Sequence, residues 1–526
     1  MIEDLSMRVT PSVAAELGKL KSTISAEKGI PVEEINDIQI LRRSIDARQK
    51  NIKINLSVRI ATGDDAEIMP VYQPVEFHNL PEDAPTIIIV GAGPAGLFAA
   101  LKALELGMKP IVLERGKDVD SRRVDLAAIS RTGEVNPSSN YCFGEGGAGA
   151  YSDGKLFTRS KKRGNVQSIL QLLHQHGAHK NILIDAHPHI GSDKLPEVIK
   201  NIRQQIINCG GVVKFSTHVK DILIKDNEAV GVMTDDGNII DGPVILATGH
   251  SARDTYRLLH EKGIGINAKP LAIGVRLEHP QKLIDQLQYH SKEGRGKFLP
   301  AAEYSFVTQI DGRGVYSFCM CPGGVVVPAM SGPGESVVNG MSASARASQW
   351  ANSGMVVEIH PGDLEGYDKD ALEMLHIQED LEKRFFEESG GSLNAPAQRM
   401  TDFVKGKDSD GELPRSSYPA GIHSARIDKL LPKEISQRLR GGFLAFDKKC
   451  KGFLTDKALL IGLESRTSSP VRIPRDPETL EHLEIKNLYP AGEGAGYAGG
   501  IVSAAIDGQR CVEAYYNKIK ETRNQV

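Results

Sequence analysis

The segment Thr86–Gly107, TIIIVGAGPAGLFAALKALELG, constrains this chain more than any other. An apolar strand, Thr86–Val90, runs into Gly91-x-Gly93-x-x-Gly96, and a helix is predicted from about Ala95 to Leu106. In a strand–turn–helix of this form each glycine has a task. Gly91 makes the tight turn, Gly93 leaves room for a pyrophosphate, and Gly96 lets the helix pack on the strand. Pro94 and Ala95 open the helix, whose start offers unpaired N–H groups and partial positive charge to phosphates. A second strand, Pro110–Leu113, ends at Glu114-Arg115, where a carboxylate can accept hydrogen bonds from ribose hydroxyls. These residues predict a dinucleotide site, and taken alone they leave FAD and NAD both open.

A chain of 526 residues is too long for one ordinary core, so two or three domains are expected. The formal net charge of -3 gives no global drive toward nucleic acid or an anionic membrane. The acidic start MIEDLSMRVT is unlike a signal peptide, and no apolar run approaches the ~18 residues of a membrane span. Six irregularly spaced cysteines suggest free thiols rather than a disulfide framework. A cytoplasmic protein without a metal is expected; oligomeric state is left open.

Residues 1–82 read as a small α+β unit: a strand Glu3–Thr10, a helix Ser12–Lys28, and strands near Ile38–Ile45 and Ile52–Ile60. Pro70, Pro74, Pro81 and Pro85 mark a linker. Residues 83–265 read as the first part of a Rossmann-type domain, with further strands Val212–Ser216 and Pro243–Leu246. Residues 266–454 read as an inserted, mixed β-rich domain, and 455–526 as the return to the first domain. The predicted fold class is α/β.

A second glycine cluster lies near the C-terminus, in NLYPAGEGAGYAGGIVSAAIDG: a strand ends at Gly492-Glu493 and a helix begins about Gly499-Gly500-Ile501. FAD stretches across a protein, so its flavin end needs a different holder from its pyrophosphate. A helix N-terminus at the flavin N1/C2 carbonyl edge would stabilise the negative charge of reduction. No second GxGxxG follows a strand elsewhere, so a dedicated nicotinamide domain is not expected; NAD(P)H remains a candidate electron donor.

These segments resemble the glutathione-reductase-like flavoprotein superfamily, in the branch with one FAD domain and an inserted substrate domain. More closely, the chain is similar to a group of largely uncharacterised bacterial FAD-dependent dehydrogenases with an extra N-terminal domain. The resemblance is carried by FGEGGAGAYSDGKL (143–156), HPHIGSDKL (187–195), YSFCMCPGG (316–324), ESRTSSPVRI (464–473) and PAGEGAGYAGG (490–500). It implies that Ala247-Thr248-Gly249 ends the second-half Rossmann strand and that Val219 lies in the loop pairing with adenine. It also implies that Gly146, Gly147 and Ala148 approach the cofactor while Asp153 and Lys155 fix their loop. Glu493 stands where many superfamily members carry aspartate, and a longer carboxylate can still reach a ribityl hydroxyl.

Candidates for chemistry are fewer. Cys319 and Cys321, two apart in a predicted strand, would share a face with Cα atoms ~6.6 Å apart, near the limit for a disulfide. A redox dithiol, one cysteine lining the flavin site, and simple core packing are the three readings. Arg466, Arg472 and Arg475 would clamp a carboxylate-bearing substrate or form structural ion pairs, with Thr467 and Ser468 on the same wall. His189 would orient substrate or a cofactor phosphate. His250 and Tyr497 are candidate proton donors, and His187 with His189 lacks the spacing of a metal pair. The function expected is a FAD-dependent oxidoreductase passing hydride between the flavin and a small organic substrate. The alternatives are an RNA-modifying flavoprotein docking through its N-terminal domain, or a flavin-binding electron carrier without turnover. For the former, the basic runs RSKKR (159–163) and RRSIDARQKNIK (42–53) lack the interleaved aromatics that stack bases, so nucleic acid is not the expected partner.

Overall fold

Short apolar runs bounded by glycine and proline set the frame. In a computed structural model, which describes residues 1–63, 68–70, 72–158 and 164–525, Thr86–Val90 buries all but its first residue. Strands apolar on both faces pair in parallel beneath helices. This one lies at the centre of a five-stranded parallel sheet ordered Leu488–Pro490, Val244–Leu246, Thr86–Val90, Lys109–Leu113, Val212–Lys214. The side chains of Ile87 and Ile89 face helices Pro94–Glu105 and Ile501–Gln525, which pack on each other, and helices Val166–Gln175 and Leu195–Asn208. Ile88 and Val90 face the other way, toward the antiparallel trio Val219–Lys225, Glu228–Thr234, Ile239–Asp241 and the helix Arg253–Glu261. The fold is α/β, with a Rossmann-type sheet.

The insertion is a seven-stranded sheet ordered Val307–Ile310, Arg313–Cys321, Trp350–Ile359, Leu271–Pro280, Leu459–Glu464, Ala395–Arg399, Ile422–Ser424. All neighbours are antiparallel except the last pair. Helices Glu373–Glu388 and Lys433–Lys449 bury Leu381, Phe385, Leu439, Phe443 and Phe446 against it. The boundary expected at residue 454 therefore moves. Leu459–Glu464 pairs with Leu271–Pro280 and Ala395–Arg399 inside the inserted sheet. Its wholly buried sequence, LLIGLE, suits either sheet, and only the pairing decides.

In the first 63 residues the strand order is Ile2–Val9, Lys53–Thr62, Ile35–Asp46, all antiparallel, with Leu20 and Ile24 of the helix Leu17–Lys28 laid on the apolar face. The continuous helix expected from Ser12 breaks at Glu16, whose extended backbone separates Pro11–Ala15 from Leu17–Lys28. This unit docks through Arg43, which forks Asp185 (2.7 and 3.1 Å) and exchanges main-chain hydrogen bonds with Ile184 and Ala186. Arg48, in the same basic run, pairs with Asp46. The other basic run, 159–163, lies outside the described residues. No helix of the described residues is long and apolar enough to cross a membrane.

Candidate functional site

A cleft of about 380 Å³ opens between the parallel sheet and the inserted sheet. Both glycine turns reach it. The turn after Thr86–Val90 is built as its spacing requires. Gly91 has φ +105, and a Cβ there would lie 2.5 Å from the Ala247 carbonyl oxygen. A Cβ on Gly96 would lie 1.9 Å from the Gly91 carbonyl oxygen and 3.2 Å from Ile89, so the helix sits directly on the strand. Gly93 caps the helix with no side-chain hydrogen bond, leaving its first N–H groups to the cleft. Facing it, a Cβ on Gly147 would come 3.3 Å from the Gly93 Cα; the two glycines keep a channel open that side chains would fill. Gly91, Gly93, Pro94, Ala95, Gly147, Ala148 and Gly149 all line the cleft.

Glu114 also lines it, in a second role that spacing does not reveal. Its Oε2 accepts from Ala92 N (2.8 Å), and its Oε1 from Gly116 N (2.8 Å) and Gly144 N (3.0 Å). The carboxylate thus ties the dinucleotide turn to the glycine-rich loop, and Oε2 keeps one lone pair for a ribose hydroxyl. Arg115 is bidentate to Asp254 (3.0 and 2.9 Å), lies 4.4 Å over the Phe143 ring, and forms one wall with His218 and Val219. Asp153 holds Arg346 (3.0 and 2.5 Å) and Lys155 (2.9 Å), and both Asp153 and Lys155 face the cleft.

Gly146 and Gly492, expected at the cofactor, sit one layer back, alongside Gly96 in its expected packing role. Gly96 packs on the strand, Gly146 approaches Ile199 (2.4 Å from a Cβ), and Gly492 approaches Ala95 (2.8 Å). They position the lining without belonging to it. Ala247, Thr248 and Gly249 end their strand at the cleft, and Glu493, Gly499, Gly500 and Ile501 reach it from the C-terminal turn. The Glu493 carboxyl is pushed up to about 7 by burial, with Lys269 opposing, and forms no hydrogen bond among the described residues. Behind it, Asp507 accepts from Gly492 N (2.8 Å) and is forked by buried Arg475 (3.0 and 2.6 Å).

Several expected roles are corrected. Of the two readings for Arg475, the structural ion pair is the one found, and Arg472, exposed, donates to Gly496 O. Tyr497 lies under both guanidiniums (5.0 and 3.8 Å), accepts from Arg475 N and does not line the cleft. His189 is paired across from Lys155, bonds Ser344 O and stands behind the wall, while His187 bonds Glu303. Arg466 does line the cleft, but its guanidinium is already taken. It donates to Glu382 (3.1 and 2.8 Å), Glu335 (2.6 Å) and Ser331 (2.6 Å), so it offers no free fork to a substrate carboxylate. Burial raises the Glu382 carboxyl, but Arg253 and Arg466 outweigh it and bring it down to about 2. Thr467 faces the cleft and donates to Ala272 O, and Ser468 accepts from Lys269.

His250 lines the same end, with Nδ1 2.9 Å from Ser251 Oγ. Burial, then Arg466 and Arg253, lower it to about 4, so its imidazole is neutral near pH 7. Cys319 lines the cleft; Cys321 does not. The shared face expected of them is undone by a bulge between Phe318 and Cys321, with Cys319 at φ +45. Cys142, Phe318 and Asn339 also line the cleft and were not singled out from sequence. For Glu335, the signal was SGPGES (331–336), glycine-rich but lacking a flanking strand and helix.

Residues 270–467 match the family model for the FAD-dependent protein, C-terminal domain-like, and residues 1–61 match a domain of unknown function. An uncharacterised protein of Clostridium beijerinckii is 40% identical over 524 residues, covering 96% of this chain and 97% of its own. The chain belongs to one family with that clostridial protein. Within it, residues 270–467 carry the C-terminal domain that the model describes as that of a FAD-dependent protein. Solved structures similar to this family member include the tetracycline destructase Tet(51), 12% identical, with TM-score 0.34 over 84% of this chain and 82% of the other. Glycine oxidase from Bacillus cereus is 14% identical (TM-score 0.31; 82% and 95% covered). CtdE in complex with FAD is 11% identical (TM-score 0.33; 84% and 93% covered). Scores of this size carry no argument about the family's chemistry; its fold rests on the sheet order above.

Proposed function

We propose that this protein is a FAD-dependent oxidoreductase that passes hydride between the flavin and a small organic substrate admitted beside the inserted sheet. One observation carries the reading: the N-termini of helices Pro94–Glu105 and Ile501–Gln525 open on a single cleft walled by both domains. The donor set suits FAD. The uncapped N–H groups after Gly93 would hold the pyrophosphate, Glu114 a ribose hydroxyl, and the unpartnered Glu493 carboxyl a ribityl hydroxyl. Bound there, FAD would supply two-electron hydride chemistry.

The chain's own groups would do the rest. The helix start at Ile501 would put partial positive charge near the flavin edge on which negative charge gathers on reduction. Gly147 and Ala148 line the cleft with little side-chain bulk, leaving room for close backbone approach to a cofactor. His250, neutral and with Nδ1 engaged by Ser251, has Nε2 free to take a proton from a substrate O–H or N–H. Because Arg466 is satisfied by Glu382 and Glu335, a carboxylate on the substrate is not required.

Purified protein should be yellow, or take up added FAD stoichiometrically, and an organic substrate or a nicotinamide donor should bleach it anaerobically. A colourless protein that takes up no FAD refutes the proposal. A flavoprotein reduced by dithionite alone, with no organic acceptor, supports an electron carrier instead.

A further inference from the structure

Resting on the FAD reading, we propose that Cys319 and Cys321 are a redox-active dithiol that exchanges two electrons with the flavin, closing to a disulfide as the flavin is reduced. The pair sits at an irregular point of the central strands. After Phe318 the pairing with Trp350–Ile359 slips and resumes at Cys321, and Cys319 takes a left-handed backbone (φ +45) rarely held by a side-chain-bearing residue. The bulge ends the regular strand geometry that would hold the two Cα atoms near the disulfide limit. It leaves the Cys321 thiol donating to the Cys319 carbonyl at 3.4 Å. Cys319 is at the cleft wall and Cys321 is wholly buried behind it, so one sulfur meets the cofactor and the other closes the bond.

Two cations converge on this turn. Arg276, wholly buried, donates to Cys319 O (2.7 Å) and Cys321 Sγ (3.4 Å), and Lys155 donates to Met320 O between them. Arg276 is itself paired with buried Glu464 (3.3 Å) and donates to Asn352 (2.8 Å), so the guanidinium is held in place at the cysteine turn. The neighbouring Cys321 side chain, then Lys155 and Arg276, lower Cys319 against the opposing effect of burial, and Cys319 together with burial raises Cys321. Of the two, Cys319 is therefore the sulfur that gives up its proton more readily. The step balances as Cys319 thiolate plus Cys321 thiol plus FAD giving the disulfide plus anionic reduced flavin. The S–H bond breaks and the S–S bond forms, both electrons pass to the flavin, and the Cys321 proton goes with them.

The test is anaerobic dithionite titration of the oxidised FAD holoprotein, with thiol alkylation and peptide mass measurement. Because a disulfide is a two-electron couple, wild type should take up four electrons per flavin and Cys321→Ser only two. The peptide carrying both cysteines should escape alkylation when oxidised and be doubly labelled after reduction. A yellow wild-type holoprotein that takes two electrons per flavin, with both cysteines labelled in the oxidised state, overturns the dithiol and leaves the flavoprotein reading standing. A protein that binds no flavin overturns both. The wild-type stoichiometry decides the matter even if Cys321→Ser does not fold.

Discussion

Replacing Gly508 by alanine separates two opposed effects. Gly508 is buried in the helix Ile501–Gln525, and in isolation alanine there would favour the helix by ~1 kcal/mol. A Cβ at this position, however, would lie 2.0 Å from the Ala95 carbonyl oxygen and 2.8 Å from its carbon. That oxygen belongs to the first turn of the helix Pro94–Glu105, so it is backbone and has no rotamer to yield. Overpacking of this kind costs ~1–3 kcal/mol, enough to cancel the propensity gain or exceed it. The helices must part by roughly 1 Å to restore a 3.0 Å contact, which moves the N–H groups after Gly93 relative to the turn at Gly499–Ile501. Losing one charge-assisted hydrogen bond to the pyrophosphate costs about 1.5–3 kcal/mol, so FAD should bind roughly 10- to 150-fold more weakly. Flavin fluorescence quenching during FAD titration measures this, with urea unfolding alongside. Gly18→Ala, where nothing lies within 4 Å, is the control expected to leave affinity unchanged. If Gly508→Ala binds FAD as tightly as wild type and unfolds at higher urea, the helix crossing does not set the geometry of the cleft.

Asp507→Asn keeps the shape but leaves Arg475 buried and charged; loss of about 3–5 kcal/mol should appear as a clearly lower thermal midpoint, and an unchanged midpoint would refute the network's role. The Glu493 carboxyl is raised from its ordinary 4.5 to about 7, so between those pH values the folded apoprotein holds a proton that the unfolded chain has released. Its contribution therefore weakens stability as pH rises through that window. The wild-type-minus-Glu493→Gln difference in urea midpoint should fall from about pH 4.5 to about 7 and then level; a flat difference would count against a buried, unpartnered carboxyl. Arg43→Ala removes a half-exposed fork to Asp185 and should cost no more than ~1 kcal/mol, read as faster limited proteolysis between the N-terminal unit and Thr86 with FAD affinity unchanged.

What could be read in advance was local. Gly91, Gly93 and Gly96 act on neighbours within a few residues, as do Gly499 and Gly500 at their helix start, so their spacing carries their geometry. Glu114 was legible as a lining carboxylate, yet its bond to Gly144 N joins segments far apart in the chain and left no local mark. For Arg466 a substrate clamp and a structural ion pair both stay open in sequence, because its partners, Glu335 and Glu382, lie in a glycine-rich loop and a charged helix that the chain reaches much earlier. The cysteine pair was misplaced for a different reason. Alternation assumes a regular strand, and the bulge after Phe318 comes from pairing rather than composition. The helix Lys433–Lys449 was missed, and its polar face, punctuated by Gly441-Gly442, obscures the apolar stripe at Leu439, Phe443 and Phe446.

The order of strands in the parallel sheet has a consequence for synthesis. The edge strand Leu488–Pro490 and the helix beginning at Ile501 are made 387 residues after Glu114, counting from 114 to 501. On a ribosome adding about 5–20 residues per second, the early half of the cradle waits roughly 20–80 s for its counterpart. Until the helix start at Ile501 is made, the nascent chain would thus hold only half of its cradle, so flavin would join after the early turn has folded and would not be a nucleus around which that turn assembles.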